Sequence, residues 1–130
     1  MNSNTPLPVN SHVIPLDQAN LMTAIYRENR ELILAQQYQG QDILPLSETF
    51  NRQAFDRLLS TAGCAGIRIY YGMDSDQRLH AVIVAVNESN EDLLPVSADQ
   101  STLSETDDPV IIEEGQRCPP ICPEKSSLNS

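Results

Sequence analysis

Eight consecutive residues constrain this chain more than any other stretch. In Leu79-His80-Ala81-Val82-Ile83-Val84-Ala85-Val86, an extended backbone turns Leu79, Ala81, Ile83 and Ala85 one way and Val82, Val84 and Val86 the other. A strand that is apolar on both faces has to be covered on both, so the segment predicts a central strand. Ile67-Arg68-Ile69-Tyr70-Tyr71 predicts a neighbouring strand. The polar run Met73-Asp74-Ser75-Asp76-Gln77-Arg78 predicts a turn between them, which makes the pair a hairpin.

Two helices are expected ahead of the hairpin. Pro15-Leu16-Asp17 reads as a helix start with Asp17 as the cap, and residues 18 to about 37 lack Gly and Pro, with Gly40 as the stop. Leu21, Ile25 and Leu32, with Met22, Tyr26 and Ile33, recur at helical spacing and mark an apolar face wide enough to pack on a sheet. Asn51 reads as the cap of a shorter helix whose stripe is Ala54, Phe55, Leu58 and Leu59, ended by Gly63. The expected fold class is α+β: two N-terminal helices packed on a small, mainly antiparallel sheet, with a polar acidic loop and a C-terminal tail. In that arrangement Ile67, Ile69, Ile83 and Val84 are buried against Leu21, Ile25, Phe55 and Leu58.

The chain of 130 residues fits one domain, and its formal charge is −10. Residues 88–116 hold nine acidic residues and no Lys or Arg, and 97–109 is rich in Ser, Thr and Asp. Such a stretch buries too little to offset chain entropy, so it reads as a mobile linker. Order is expected to return at Val110-Ile111-Ile112, as an edge strand. The resulting division is a flexible arm at 1–14, a core at 15–96, the acidic linker at 97–109, the edge strand and Cys-Pro-Pro-Ile-Cys turn at 110–122, and a disordered tail at 123–130.

Charge excludes two partner classes. Nucleic acid and anionic membrane surfaces are bound largely through Lys and Arg, and this chain is strongly acidic with a single Lys, Lys125. The N-terminal residues lack the basic and apolar segments of a secretory signal, and no apolar run is long enough to span a bilayer. The cytoplasm is therefore the expected location, and thiols there are ordinarily reduced. A small-molecule ligand is neither indicated nor excluded.

Cys118-Pro119-Pro120-Ile121-Cys122 is the sharpest local motif. Each Pro fixes its φ near −65°, which restrains the two thiols. They can close a local disulfide, remain reduced on a tail that binds something, or join Cys64 and His80 as the available ligands of a soft metal. The redox spacing Cys-x-x-Cys is not met, since three residues intervene. Cys64 reads as a small buried apolar residue. By alternation His80 lies on the Val82 and Val84 face, and Arg68 and Tyr70 share the face opposite Ile67 and Ile69. Arg68 is placed either to pair with Glu91 or Asp92 or to present its guanidinium to a partner. Asp74-Ser75-Asp76 lacks the Gly and distal Glu of a calcium loop.

Gly63-Cys64-Ala65-Gly66-Ile67-Arg68-Ile69-Tyr70-Tyr71-Gly72 resembles a segment of a group of small bacterial proteins of unknown function. There, Gly-Cys is followed by Gly, an aliphatic residue, Arg and an aromatic strand, then by a polar turn and a Val-rich strand. Those chains often carry a Cys-Pro-Pro motif near the end, as this one does. The resemblance spans roughly residues 15–122 and implies that the two motifs belong together. It supplies no activity, ligand or partner.

No nucleophile–base pair or metal motif stands out, so no enzyme activity and no cofactor are expected. The expected function is that of a non-catalytic interaction protein or accessory subunit, binding another protein or its own copy. Arg68, Tyr70, Cys118 and Cys122 are the interaction candidates. The alternative is a cysteine-centred module, metal-binding or thiol-switching, built on Cys118 and Cys122.

Overall fold

The structure is a computed structural model that describes residues 5–96 and 108–129. Most of the expected acidic linker, at 97–107, lies outside the described residues, as do the first four residues of the arm and the last of the tail. The chain divides into two compact units that share the sequence between them. One comprises Met1–Val9, Phe50–Gly72 and His80–Glu114; the other comprises Asn10–Thr49, Met73–Leu79 and Gly115–Ser130. Residues 15–96, expected to form one core, contribute to both.

The first unit is built on β3 (Leu79–Val86), which bonds β2 (Gly66–Met73), β4 (Asp92–Leu93) and β5 (Ile111–Ile112). The pairings of β4 and β5 with β3 are antiparallel, with Ala85 opposite Leu93, Val86 opposite Asp92, Ile83 opposite Ile112 and Val84 opposite Ile111. Three partner strands make β3 the centre of the sheet, and Ile83, Val84, Ala85 and Val86 are all buried. Helix α2 (Arg52–Leu59) covers one face. It starts where the Asn51 side chain accepts a hydrogen bond from the Gln53 N–H at 2.7 Å. Leu58 of this helix is fully buried with Ile83 and Ala85, and Phe50, Phe55, Cys64, Ile67, Leu93, Val110 and Ile112 pack around them.

The other face of β3 is covered without a helix. Leu7 donates its backbone N–H to Glu88 O at 3.1 Å and lies so close over Gly66 that a Cβ there would come within 2.7 Å of its side chain. Glycine is what lets this piece of the N-terminal arm lie down on the sheet.

The second unit holds α1 (Leu16–Asn29), a short 3-10 turn at Gln36–Tyr38, and an antiparallel ribbon of β1 (Ser47–Thr49) and β6 (Gln116–Cys118). Arg117 organises it: Nε donates to Leu79 O, and Nη2 donates to Asp42 O and Ile43 O. Ile43 and Cys118 are its buried apolar residues.

This arrangement corrects the expected fold class. The secondary structure is mixed, but among the described residues six strands form two sheets, and the two helices belong to different units. Helix α2 follows β1 in the chain and packs on the larger sheet. Helix α1 buries no residue: Leu21 is 61% exposed and Ile25 51%. The strands in its unit are three residues each, too small a surface to cover a four-turn apolar face. The helix also stops earlier than expected, at Asn29. Arg30 donates to Leu44 O at 2.6 Å and the Glu31 carboxylate accepts from the Gly40 N–H at 2.8 Å, which turns the chain back on itself. Pro15 is at the N-cap position, with Asp17 in the first turn. Ile69, expected to be buried, is 50% exposed. An eight-residue helix is about 12 Å long, so α2 covers only part of the sheet face.

Candidate functional site: an open strand edge and a disulfide-closed turn

Strand β2 is at the end of the strand order, with β3 as its neighbour. Among the described residues no second strand pairs with it, so every second residue turns its backbone N–H and C=O outward. Ile69, Tyr71 and Met73 lie along it at the period-two spacing that puts them on one face. They are 50%, 73% and 63% exposed. Natural sheets ordinarily blunt an edge with charge, proline or a covering segment. On this face of β2 the exposed residues are apolar.

The opposite face of β2 is polar, and its groups are engaged within the unit. Arg68 forms an ion pair with Asp92 through Nη1. Its Nη2 donates to the side-chain oxygen of Asn90 and, at 3.1 Å, to Asn90 O. The Tyr70 hydroxyl donates to the second oxygen of the same Asp92 carboxylate. Burial works to lower the Arg68 pKa, but the hydrogen bonds to Asp92 and Tyr70, with their charges, outweigh it and hold it above the ordinary arginine value. The pair therefore contributes as a fixed cation and its counter-ion. Arg68 and Tyr70 clamp β2 to β4 across β3, with Asp92, one of the two partners the sequence offered, at the centre.

The remaining candidates separate. His80 is mostly buried, with Nδ1 3.6 Å from Glu113 Oε1. Cys64 is half-buried and its Sγ donates to Gly66 O at 3.4 Å. Cys118 and Cys122 are joined in a disulfide, with Cα atoms 4.6 Å apart. In that state neither sulfur is a thiolate, so the pair offers no ligand to a metal alongside Cys64 and His80. The peptide bonds Cys118-Pro119 and Pro119-Pro120 are cis. Cys118 is buried at the end of β6, opposite Ser47, and its O accepts the Leu46 N–H at 2.7 Å, whereas Cys122 is exposed. Among the described residues no helix is long and apolar enough to cross a membrane.

Sequence reasoning passed over Leu7 and Arg117, and read Tyr26 only as part of an apolar helix face. For Arg117 there was a signal, since it is the first Lys or Arg after Arg78 and directly precedes the Cys-Pro-Pro motif. Tyr26 donates its hydroxyl to Pro45 O at 2.7 Å. Burial raises its pKa above the usual 10.0, against the lowering pull of Arg30 and Arg117. A raised folded-state pKa means the folded chain holds this proton more tightly than the unfolded chain. The contribution is full below the unfolded value and is lost as pH rises through the folded one. Denaturant melts of the native chain are expected to lose stability above about pH 10, and Tyr26→Phe to flatten that alkaline slope. An unchanged slope in Tyr26→Phe would show that another group carries it.

No protein-family model, curated protein or solved structure matches the chain.

Proposed function

We propose that the chain is a non-catalytic accessory or interaction subunit whose binding surface is the β2 edge, and that its partner is a basic protein adding a strand there. The observation that carries this reading is the apolar, open edge at Ile69, Tyr71 and Met73. An incoming strand finds unpaired backbone groups for its hydrogen bonds and three large side chains for its own. The formal charge of −10 favours a partner rich in Lys and Arg over a second, equally acidic copy. The exposed face of α1, with Leu21, Met22 and Ile25, offers the second unit a separate surface of the same chemistry.

A capture experiment with matched variants tests it. The native chain is expected to retain a discrete basic protein from its own cell extract, less at high salt, and Ile69→Lys to lose it while keeping the fold. A chain that stays monomeric by light scattering and retains the same proteins with or without Ile69→Lys would contradict the proposal.

The Cys118–Cys122 bridge favours a second reading, a thiol switch in a cytoplasmic chain. Disulfides in that compartment are ordinarily transient or redox-sensing. A dithiol reductant would attack the exposed Cys122 sulfur, and two electrons and two protons would convert the bridge to two thiols. Thiol titration of protein from the native cell decides it: a pair fully reduced, or fully oxidised, under both oxidising and reducing growth would sink the switch.

A further inference from the structure

From the second unit we infer a binding cleft for a small carboxylate with an apolar chain. It is independent of the β2 edge. The cleft encloses about 340 Å3 between α1, β1 and the C-terminal tail, the low end of the range for small-ligand sites. Its walls include Tyr26, Leu46 and Leu128, and its polar lining includes Arg27, Asn129 and the β1 residues Ser47 and Thr49.

Arg27 is what makes the cleft specific. In a chain with 18 acidic residues against 8 basic ones, a guanidinium ordinarily finds a carboxylate. Arg30 pairs with Glu31 and Asp42, Arg52 with Asp56, Arg68 with Asp92, and Arg78 with Asp76. Among the described residues Arg27 has no carboxylate partner. Its one hydrogen bond runs from Nη1 to Leu128 O at 2.6 Å, which fixes the guanidinium against the tail. The Nε and Nη2 donors are left over, and a planar fork of this kind binds a carboxylate through two parallel hydrogen bonds. The ordinary purpose of a buried tyrosine hydroxyl is already served at Tyr26, whose proton goes to Pro45 O, so its ring acts as an apolar wall. A ligand with a negative head and a short hydrocarbon chain satisfies both halves of the site. A neutral ligand of the same shape leaves the guanidinium without a counter-charge.

Calorimetric titration of the full native chain with hexanoate, and separately with the neutral isostere hexanamide, tests this. Hexanoate is expected to bind saturably with one site, and hexanamide about tenfold or more weaker, the loss that follows from removing a charge-assisted pair. Amide shifts on adding hexanoate should centre on Tyr26, Arg27, Leu46 and Leu128. Arg27→Gln should weaken hexanoate by the same factor and leave hexanamide unchanged. No saturable hexanoate binding, equal binding of the two probes, or unchanged hexanoate affinity in a folded Arg27→Gln chain would overturn the proposal. If Arg27→Gln fails to fold, the ratio of the two probes on the native chain decides alone.

Discussion

Leu58→Ala is expected to lower the unfolding free energy by about 2–5 kcal/mol, the range for emptying a fully enclosed aliphatic site. Leu58 is the side chain through which α2 meets the sheet, and it has no exposed surface. Its neighbours Ile83 and Ala85 are on the central strand, and Phe50 and Phe55, with ring centroids 6.0 Å apart, form one side of the pocket. A ring pair and a strand paired with three partners relax little into a void, so the cost belongs toward the upper part of that range. Urea melts followed at amides of β3 measure it. Leu21→Ala on the exposed face of α1 is the control and should change stability by no more than about 0.5 kcal/mol in the isolated chain. A Leu58→Ala loss below about 1 kcal/mol would show that α2 is not the lid of this core.

Arg117→Met is expected to cost the second unit about 3 kcal/mol. The substitution keeps an unbranched side chain of similar reach and removes every donor. Leu79 O, Asp42 O and Ile43 O then lose a charged partner together, and each such bond contributes about 1.5–3 kcal/mol when intact. The sum is smaller than three full bonds because water reaches a partly buried guanidinium and can replace part of what is lost. Arg117→Lys should recover less than half, since an ammonium is a point charge and cannot reach three carbonyls in one plane. Hydrogen exchange at the Leu79 amide, which donates to Ile43 O, reads the effect locally. A loss below about 1 kcal/mol in Arg117→Met would make the ribbon of β1 and β6, not this side chain, the organiser of the unit.

The central strand was legible in sequence because apolar residues on both faces leave one solution, and β3 is buried along its second half, from Ile83 to Val86. The cap of α2 was legible because Asn51 acts through a bond to its own neighbour, Gln53. What failed was the step from an apolar face to a covered one. Leu21, Ile25 and Ile69 have the right spacing, yet periodicity records only where apolar side chains fall. It does not record whether this chain supplies enough surface to cover them. The two-unit division was hidden for a related reason: its strands β1 and β6 are three residues long, with 66 residues between Thr49 and Gln116, and are too short to have a pattern. At the site, Arg68, Tyr70 and Asp92 were legible as one face and one acidic stretch, whereas their common point of attachment required the sheet order. Arg117 escaped because its partners are backbone carbonyls, which no side-chain pattern announces.

The face that sequence periodicity marked for burial, and that this chain leaves open, is where a partner is expected. Photo-crosslinking in the native cell from a benzoylphenylalanine placed at Tyr71, on the exposed edge, tests that most directly. Gln53, exposed on α2, is the control position. The account predicts a discrete crosslinked product with a basic protein from position 71 and none from position 53. No product from position 71, or the same products from both, would contradict it.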